Sequence, residues 1–157
     1  MNIRKAKETD IPRINELLGQ VLEIHAAIRP DIFIKGTTKY TPEQLCAIIN
    51  DENTPIFVST DENDEISGYC FCVIIKRQPF STNMVDHKTL FIDDLCVDKN
   101  ARGKSVGTAL YNYAVDYAKS IGCYDLTLNV WEGNDSARHF YEKMGMKVKE
   151  TQMEFIL

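Results

Sequence analysis

Two short stretches hold residue types that could do chemistry. In "LFIDDLCV", Asp93 and Asp94 interrupt a run that otherwise reads as a buried strand. A carboxylate there is costly unless it is paired or functional, so each is a candidate general base or a structural ion-pair partner. Strand alternation predicts that the two side chains point to opposite faces. Directly afterwards, "ARGKSVGTAL" runs from a turn containing Arg102, Gly103, Lys104, Ser105 and Gly107 into an amphipathic helix. Such a turn presents unpaired backbone N–H groups at the positive end of a helix dipole, which suits a phosphate or pyrophosphate. Glycines at 103 and 107 allow close backbone approach, and Arg102 and Lys104 add positive charge.

The stretch is not a P-loop, because Gly103-Lys104-Ser105 is preceded five residues earlier by Asp98 and not by the glycine that G-x-x-x-x-G-K-[ST] requires, and it is not a dinucleotide fingerprint, because G-x-G-x-x-G is absent. Both also expect alternating β/α units with a parallel sheet, whereas a hairpin precedes the motif here.

The elements that must position these residues are legible from periodicity. "MNIRKA" predicts a strand, and Thr9 or Asp10 caps a helix carrying Ile11, Ile14, Leu18, Val21 or Leu22 on one face, with Pro12 in its first turn. "AAIRPDIFIKGTTKY" reads as a loop, followed by a short helix from Thr41 and Pro42 through "EQLCAIIN". "PIFVST" and "EISGYCFCVIIKR" form a hairpin about "DEND", and "TLFIDDLCV" forms the next strand. A helix runs from Val106 to a left-handed cap at Gly122, "DLTLNVW" alternates as a strand, and "NDSARHFYEKMG" is a helix capped by Asn134 or Asp135 and ended by Gly145. "MKVKETQMEFIL" closes the chain as one strand or two. The expected fold is α+β (α/β three-layer): one domain over residues 1–157 with a mixed, mostly antiparallel sheet of six to seven strands flanked by about four helices.

The motif residues resemble a known family. "Val97-Asp98-Lys99-Asn100-Ala101-Arg102-Gly103-Lys104-Ser105-Val106-Gly107-Thr108-Ala109-Leu110" is similar to the R/Q-x-x-G-x-G/A signature of the GNAT superfamily of acetyl-coenzyme A-dependent N-acetyltransferases. "Asn134-Asp135-Ser136-Ala137-Arg138-His139-Phe140-Tyr141-Glu142-Lys143-Met144-Gly145-Met146" looks like that family's N-x-x-A-x-x-F-Y-E-K-x-G-F segment. The resemblance covers essentially the whole chain, with one departure: Ser105 stands where the signature has its first glycine.

The resemblance implies transfer of an acetyl group from acetyl-coenzyme A to a primary amine by direct attack in a ternary complex. It assigns backbone contacts with the pantetheine arm to Leu95, Cys96 and Val97, between strands that splay apart. The pyrophosphate falls to the N–H groups from Arg102 through Gly103, Lys104, Ser105, Val106 and Gly107 to Thr108. Asn134 and Ala137 are assigned to the cofactor as well, and Tyr141 to protonation of the departing thiolate, a suitable role for a phenol that is neutral at pH 7. Asp93 is preferred to Asp94 as the base that takes the amine proton. Other readings of the same chain are an acyl-coenzyme A sensor without turnover and an acetyltransferase acting on a protein lysine or N-terminus.

Composition narrows the partners. Eighteen basic and twenty-three acidic side chains give a charge of −5 with no dense Lys/Arg cluster, so nucleic acid is not expected. No apolar run approaches the roughly 20 residues of a membrane span, and the N-terminus lacks a signal-peptide core. Five cysteines inside apolar segments suit buried thiols in a reducing, cytoplasmic setting, and neither their spacing nor that of the three histidines completes a metal site. The acceptor is expected to be a small-molecule or peptide amine, met by the loops around residues 24–40 and 76–88, with Asp31, Phe33 and Tyr40 as candidate lining. A strand edge at "MEFIL" could pair with a second subunit as a homodimer.

Overall fold

The computed structural model describes all 157 residues. Five strands and four helices follow in the order β1 (Asn2–Lys5), α1 (Ile11–Ile28), α2 (Pro42–Ile49), β2 (Ile56–Thr60), β3 (Ile66–Lys76), β4 (Lys88–Val97), α3 (Val106–Ser120), β5 (Asp125–Leu128) and α4 (Asp135–Lys143). The strands form one sheet in sequence order, β1-β2-β3-β4-β5. Pairing is antiparallel from β1 to β4 and parallel between β4 and β5.

Local chemistry sets the element ends. Thr41 accepts from the Gln44 N–H while the Gln44 side chain accepts from the Thr41 N–H, a reciprocal cap that starts α2. Asn134 Oδ1 accepts from the Ala137 N–H and starts α4. Gly122 and Gly145, at φ +74° and +92°, supply the left-handed turns that end α3 and α4. Asp10 precedes α1 without capping it; its carboxylate instead accepts from the Lys7 N–H and from Arg4.

Each face of the sheet carries its own core. Ile14, Leu17 and Leu18 of α1 and Leu45 of α2 pack on Ile56, Val58, Tyr69, Phe71 and Cys96. On the other face, Val106, Leu110, Ala114 and Ala118 of α3 pack on Phe57, Cys70, Cys72, Leu90 and Ile92, with Phe140 and Tyr141 of α4 at the margin. This is the helix–sheet–helix layering expected of the sequence.

The strand count is lower than the expected six to seven. From Lys147 to Leu157 the chain makes no backbone–backbone hydrogen bond. Lys149 to Asp125 (3.1 Å) and Glu154 to Arg29 (2.6 Å) hold it by side chains. The alternation in "MEFIL" satisfies a strand pattern, but Met153, Phe155 and Leu157 have no face to bury against and stay exposed. Without a paired neighbour, alternation does not make a strand.

Candidate active site

β4 is where the two carboxylates sit, and its register is broken there. Phe71 of β3 faces Asp94 and Cys72 faces Ile92, so Asp93 is an extra residue without a cross-strand partner. This β-bulge cancels the alternation. Leu90 and Ile92 point to the α3 face, whereas Asp94 and Cys96 point to the α1/α2 face beside Tyr69. The expectation of opposite faces for Asp93 and Asp94 therefore fails: Asp93 accepts from Lys39 Nζ at 2.9 Å, and that ammonium also lies within electrostatic range of Asp94.

The surroundings of the two differ. Asp93 is exposed and ion-paired. Asp94 keeps part of its surface open yet sits deep among protein atoms, and its Oδ2 accepts from the Tyr69 hydroxyl at 2.8 Å. Burial pushes its carboxyl up to about 6, against the opposing pull of the Tyr69 hydrogen bond and the Lys39 charge.

β4 and β5 pair from Thr89–Asp125 to Ile92–Leu128 and then part. The alternation of "DLTLNVW" continues to Trp131, but the strand ends at Leu128. Asp93 to Val97 thus present a β5-facing edge with no strand on it. Leu95 and Val97 turn their side chains to the α3 core, leaving backbone to face the opening. Cys96 points to the other core, where its Sγ donates to the Leu17 carbonyl and burial pushes the thiol up to about 12. A thiol held protonated in that way is packing, not a nucleophile.

Beyond β4, Asp98 caps a short turn through the Asn100 N–H and is bound by Arg13 of α1, which ties the strand end to the first helix. The turn then enters α3 through Gly103 (φ +78°) and Ser105 (φ +60°), both left-handed. Every backbone N–H from Arg102 through Thr108 lacks an acceptor within the chain. That row of free donors at a helix N-terminus fits a pyrophosphate, and the exposed Arg102 and Lys104 flank it. Gly103 supplies the turn's conformation. Gly107 has a packing role: a Cβ there would touch Val97 at 3.4 Å and Phe140 at 3.6 Å.

Across the opening stands Tyr141 of α4. Its half-buried ring packs near Phe140 (5.1 Å) and Tyr111 (6.3 Å), and burial pushes its phenol well above the usual range. Asp94 lies within its electrostatic range. Asn134 uses Oδ1 on its cap and keeps its amide N–H groups free, while the Ala137 N–H is consumed by that cap.

The loop between α1 and α2 crosses the mouth of this opening. His25 and Phe33 pack as a tilted pair at 5.2 Å, Phe33 meets Trp131 edge-on at 5.4 Å, and Arg29 lies over the Trp131 ring. Beside this aromatic row lies an open groove of about 570 Å³ lined by Ile28, Arg29, Asp31, Trp131, Glu132 and Glu154 with Ile156. Of the expected acceptor residues, Asp31 lines the groove, Phe33 packs against the lining Trp131 without lining the groove itself, and Tyr40 stacks on Phe71 next to Tyr69. His87 stacks on Tyr124 and His139 is exposed, both away from the carboxylates.

Three residues escaped sequence reasoning. Lys39 lies in a loop without periodicity, and Tyr69 reads as one aromatic among many in β3. Gly68 did carry a signal, since a glycine inside a strand marks close backbone approach. A Cβ there would lie 2.7 Å from the Cys96 carbonyl and 3.1 Å from Val106 and Leu110, so Gly68 lets the first turns of α3 press on the sheet.

Comparison with known proteins agrees with this architecture. Residues 20–146 match the model of the acetyltransferase (GNAT) family. A glucosamine 6-phosphate N-acetyltransferase of Arabidopsis thaliana is 40% identical over 141 residues, spanning 88% of this chain and 83% of that protein. An uncharacterised N-acetyltransferase of Bacillus subtilis, YhfO, is 28% identical over 92% of this chain and 89% of its own. The crystal structure of a mutant of protein BH1408 from Bacillus halodurans superposes with a TM-score of 0.94 at 31% identity, over 100% of this chain and 99% of that one. With the family model spanning most of the chain and the fold matching throughout, the protein belongs to the GNAT family and is an acetyltransferase.

Proposed function

We propose that the enzyme moves an acetyl group from acetyl-coenzyme A to a primary amine by direct attack within a ternary complex, with Asp94 as base and Tyr141 as acid. The observation that carries this is the parting of β4 and β5: an unpaired strand edge, Asp93–Val97, opens between a carboxylate on one side and a neutral phenol on the other, and leads to the free N–H row of Arg102–Thr108.

In this reading the N–H row and Arg102 and Lys104 hold the pyrophosphate, and the backbone of Leu95–Val97 holds the pantetheine arm as an added strand would be held. A backbone N–H of that segment polarises the thioester carbonyl. Asn134 offers its free amide to the arm, and Ala137 serves the helix cap beside it. Asp94 takes a proton from the attacking amine, the N–C bond forms, the C–S bond breaks, and Tyr141 gives its proton to the departing sulfur. With its carboxyl at about 6, Asp94 is ionised at neutral pH and still basic enough to accept a proton. Asp93, spent on Lys39, is the weaker candidate for the base, which reverses the preference drawn from the sequence.

The test has two stages. Calorimetry with coenzyme A and with analogues lacking the pyrophosphate should give micromolar binding that depends on the diphosphate. Thiol release with glucosamine 6-phosphate, the acceptor in the name of the Arabidopsis relative, and with a polyamine panel should then show turnover lost in Asp94→Asn and retained in Asp93→Asn. Binding indifferent to the pyrophosphate, or full turnover in Asp94→Asn, would refute the assignment.

A further inference from the structure

Among the buried titratable groups that take no part in the proposed transfer, Tyr69 is the one bonded to the base. Tyr69 is fully buried in β3, yet its hydroxyl reaches Asp94 Oδ2 at 2.8 Å. Its ring is fixed edge-on to Phe71 at 5.0 Å, Phe71 stacks on Tyr40 at 6.1 Å, and the Lys39 ammonium sits over the Tyr40 ring at 5.3 Å. The same ammonium is anchored at 2.9 Å by Asp93, the bulged residue. Two donors from separate elements, one in the sheet and one in the loop across the cleft mouth, thus converge on the Asp93–Asp94 pair within one packed frame.

We propose that Tyr69 and Lys39 are positioning residues for acetyl transfer: Tyr69 takes up Oδ2 of Asp94 so that Oδ1 is the oxygen left for the amine, and Lys39, anchored on Asp93, keeps Asp94 ionised. The inference rests on Asp94 being the base. It assigns a purpose to the bulge, because strict alternation beyond Ile92 would leave only one of the two carboxylates on the face of Tyr69 and Lys39 and send the other into the α3 core.

The charged and titratable groups within electrostatic reach of Asp94, from either face of the sheet, are few. β3 supplies Tyr69 and Cys70, β4 supplies Asp93 and Cys96, α4 supplies Tyr141, and the loop supplies Lys39; His25, at the end of α1, faces Lys39. The hydroxyl donor and the ammonium both favour the charged carboxylate. Removing either should therefore raise the pH at which Asp94 ionises.

The experiment follows the Asp94 carboxyl carbon by NMR across a pH titration, alongside the acid limb of kcat/KM, in the wild type, Tyr69→Phe, Lys39→Met and Lys39→Arg. Both midpoints should rise together by about one pH unit in Tyr69→Phe and Lys39→Met, a rate loss of up to about tenfold below the limb. In Lys39→Met the plateau above about pH 8 should change little, because the base is ionised there in either case, and Lys39→Arg should restore the wild-type midpoint. A merely structural loss would lower the rate at every pH instead. Unmoved NMR midpoints, with Asp94→Asn still removing the acid limb, overturn the inference alone. An acid limb that survives Asp94→Asn overturns the assignment of the base, and this inference with it.

Discussion

Replacing Asp94 by asparagine should stabilise the protein while removing its activity, and the pH dependence of that stabilisation is calculable. The folded chain lifts this carboxyl from 3.8 to about 6 by burial. Between those values the native state binds a proton that the unfolded chain has released, so stability falls as pH rises through the window and the whole cost is present above about pH 6. A shift of about two units corresponds to about 3 kcal/mol, reduced to about 1–3 kcal/mol by the solvation the partly open carboxylate keeps. Asparagine carries no charge, and its Oδ1 still accepts from Tyr69. For a chain of this length the variant should melt roughly 3–10 °C higher at pH 7. Thermal unfolding of both proteins from pH 3.5 to 7.5 isolates the effect, since Glu8, Asp10 and Asp98, whose carboxyls are held low, contribute equally to both curves and cancel in the difference. The gap should be near zero at pH 3.5 and open between about 4 and 6. A gap independent of pH, or a variant that melts lower at pH 7, would sink the claim that Asp94 is a carboxylate held ionised at a cost to the fold.

Three further substitutions test the framework around it. Tyr141→Phe should lower kcat by about a hundredfold with coenzyme affinity unchanged, read by steady-state kinetics beside calorimetry, because it removes a proton donor and leaves the packing face of α4 intact. Ser105→Gly should raise the melting temperature by about 2–4 °C: a non-glycine residue at φ +60° costs about 1–2 kcal/mol, and the added freedom of glycine in the unfolded chain offsets part of the gain. A lower melting temperature would mean that the Ser105 hydroxyl stabilises the turn. Gly68→Ala should destabilise by about 1–3 kcal/mol and weaken coenzyme binding, since a Cβ 2.7 Å from the Cys96 carbonyl must push β4 or the first turns of α3 out of place.

What the sequence made legible was whatever depends on near neighbours in the chain. The cap of α2 lies within Thr41–Gln44, that of α4 within Asn134–Ala137, and the glycine stops at 122 and 145 follow directly on their helices. Helix faces and strand order come from the same short-range periods. Pairing across strands is not written that way. Nothing in "DLTLNVW" says that its ladder stops at Leu128, nothing in "MEFIL" says that no neighbour receives it, and nothing in "FIDDLC" says that Asp93 is passed over by β3. Each depends on where another segment ends up, and each falls at or beside the cleft.

That coincidence has a physical cause. A sheet that kept its ladder through Asp93–Val97 would satisfy its own backbone and leave no edge for a ligand arm, and strict alternation would send Asp94 into the α3 core, where no partner for its charge exists. The cleft needs the ladder to fail on the β5 side, and the base needs the register to slip on the β3 side. Both happen within two residues, at Ile92–Leu128 and at Asp93. The bulge is what sets both carboxylates on one face, and deleting Asp93 restores the register without moving the base, because Asp94 then follows Ile92 directly and stays opposite Phe71 beside Tyr69. The deletion should therefore remove the anchor of Lys39 and cost no more activity than Asp93→Asn, whereas a loss as large as that of Asp94→Asn would mean that the bulge itself positions the base.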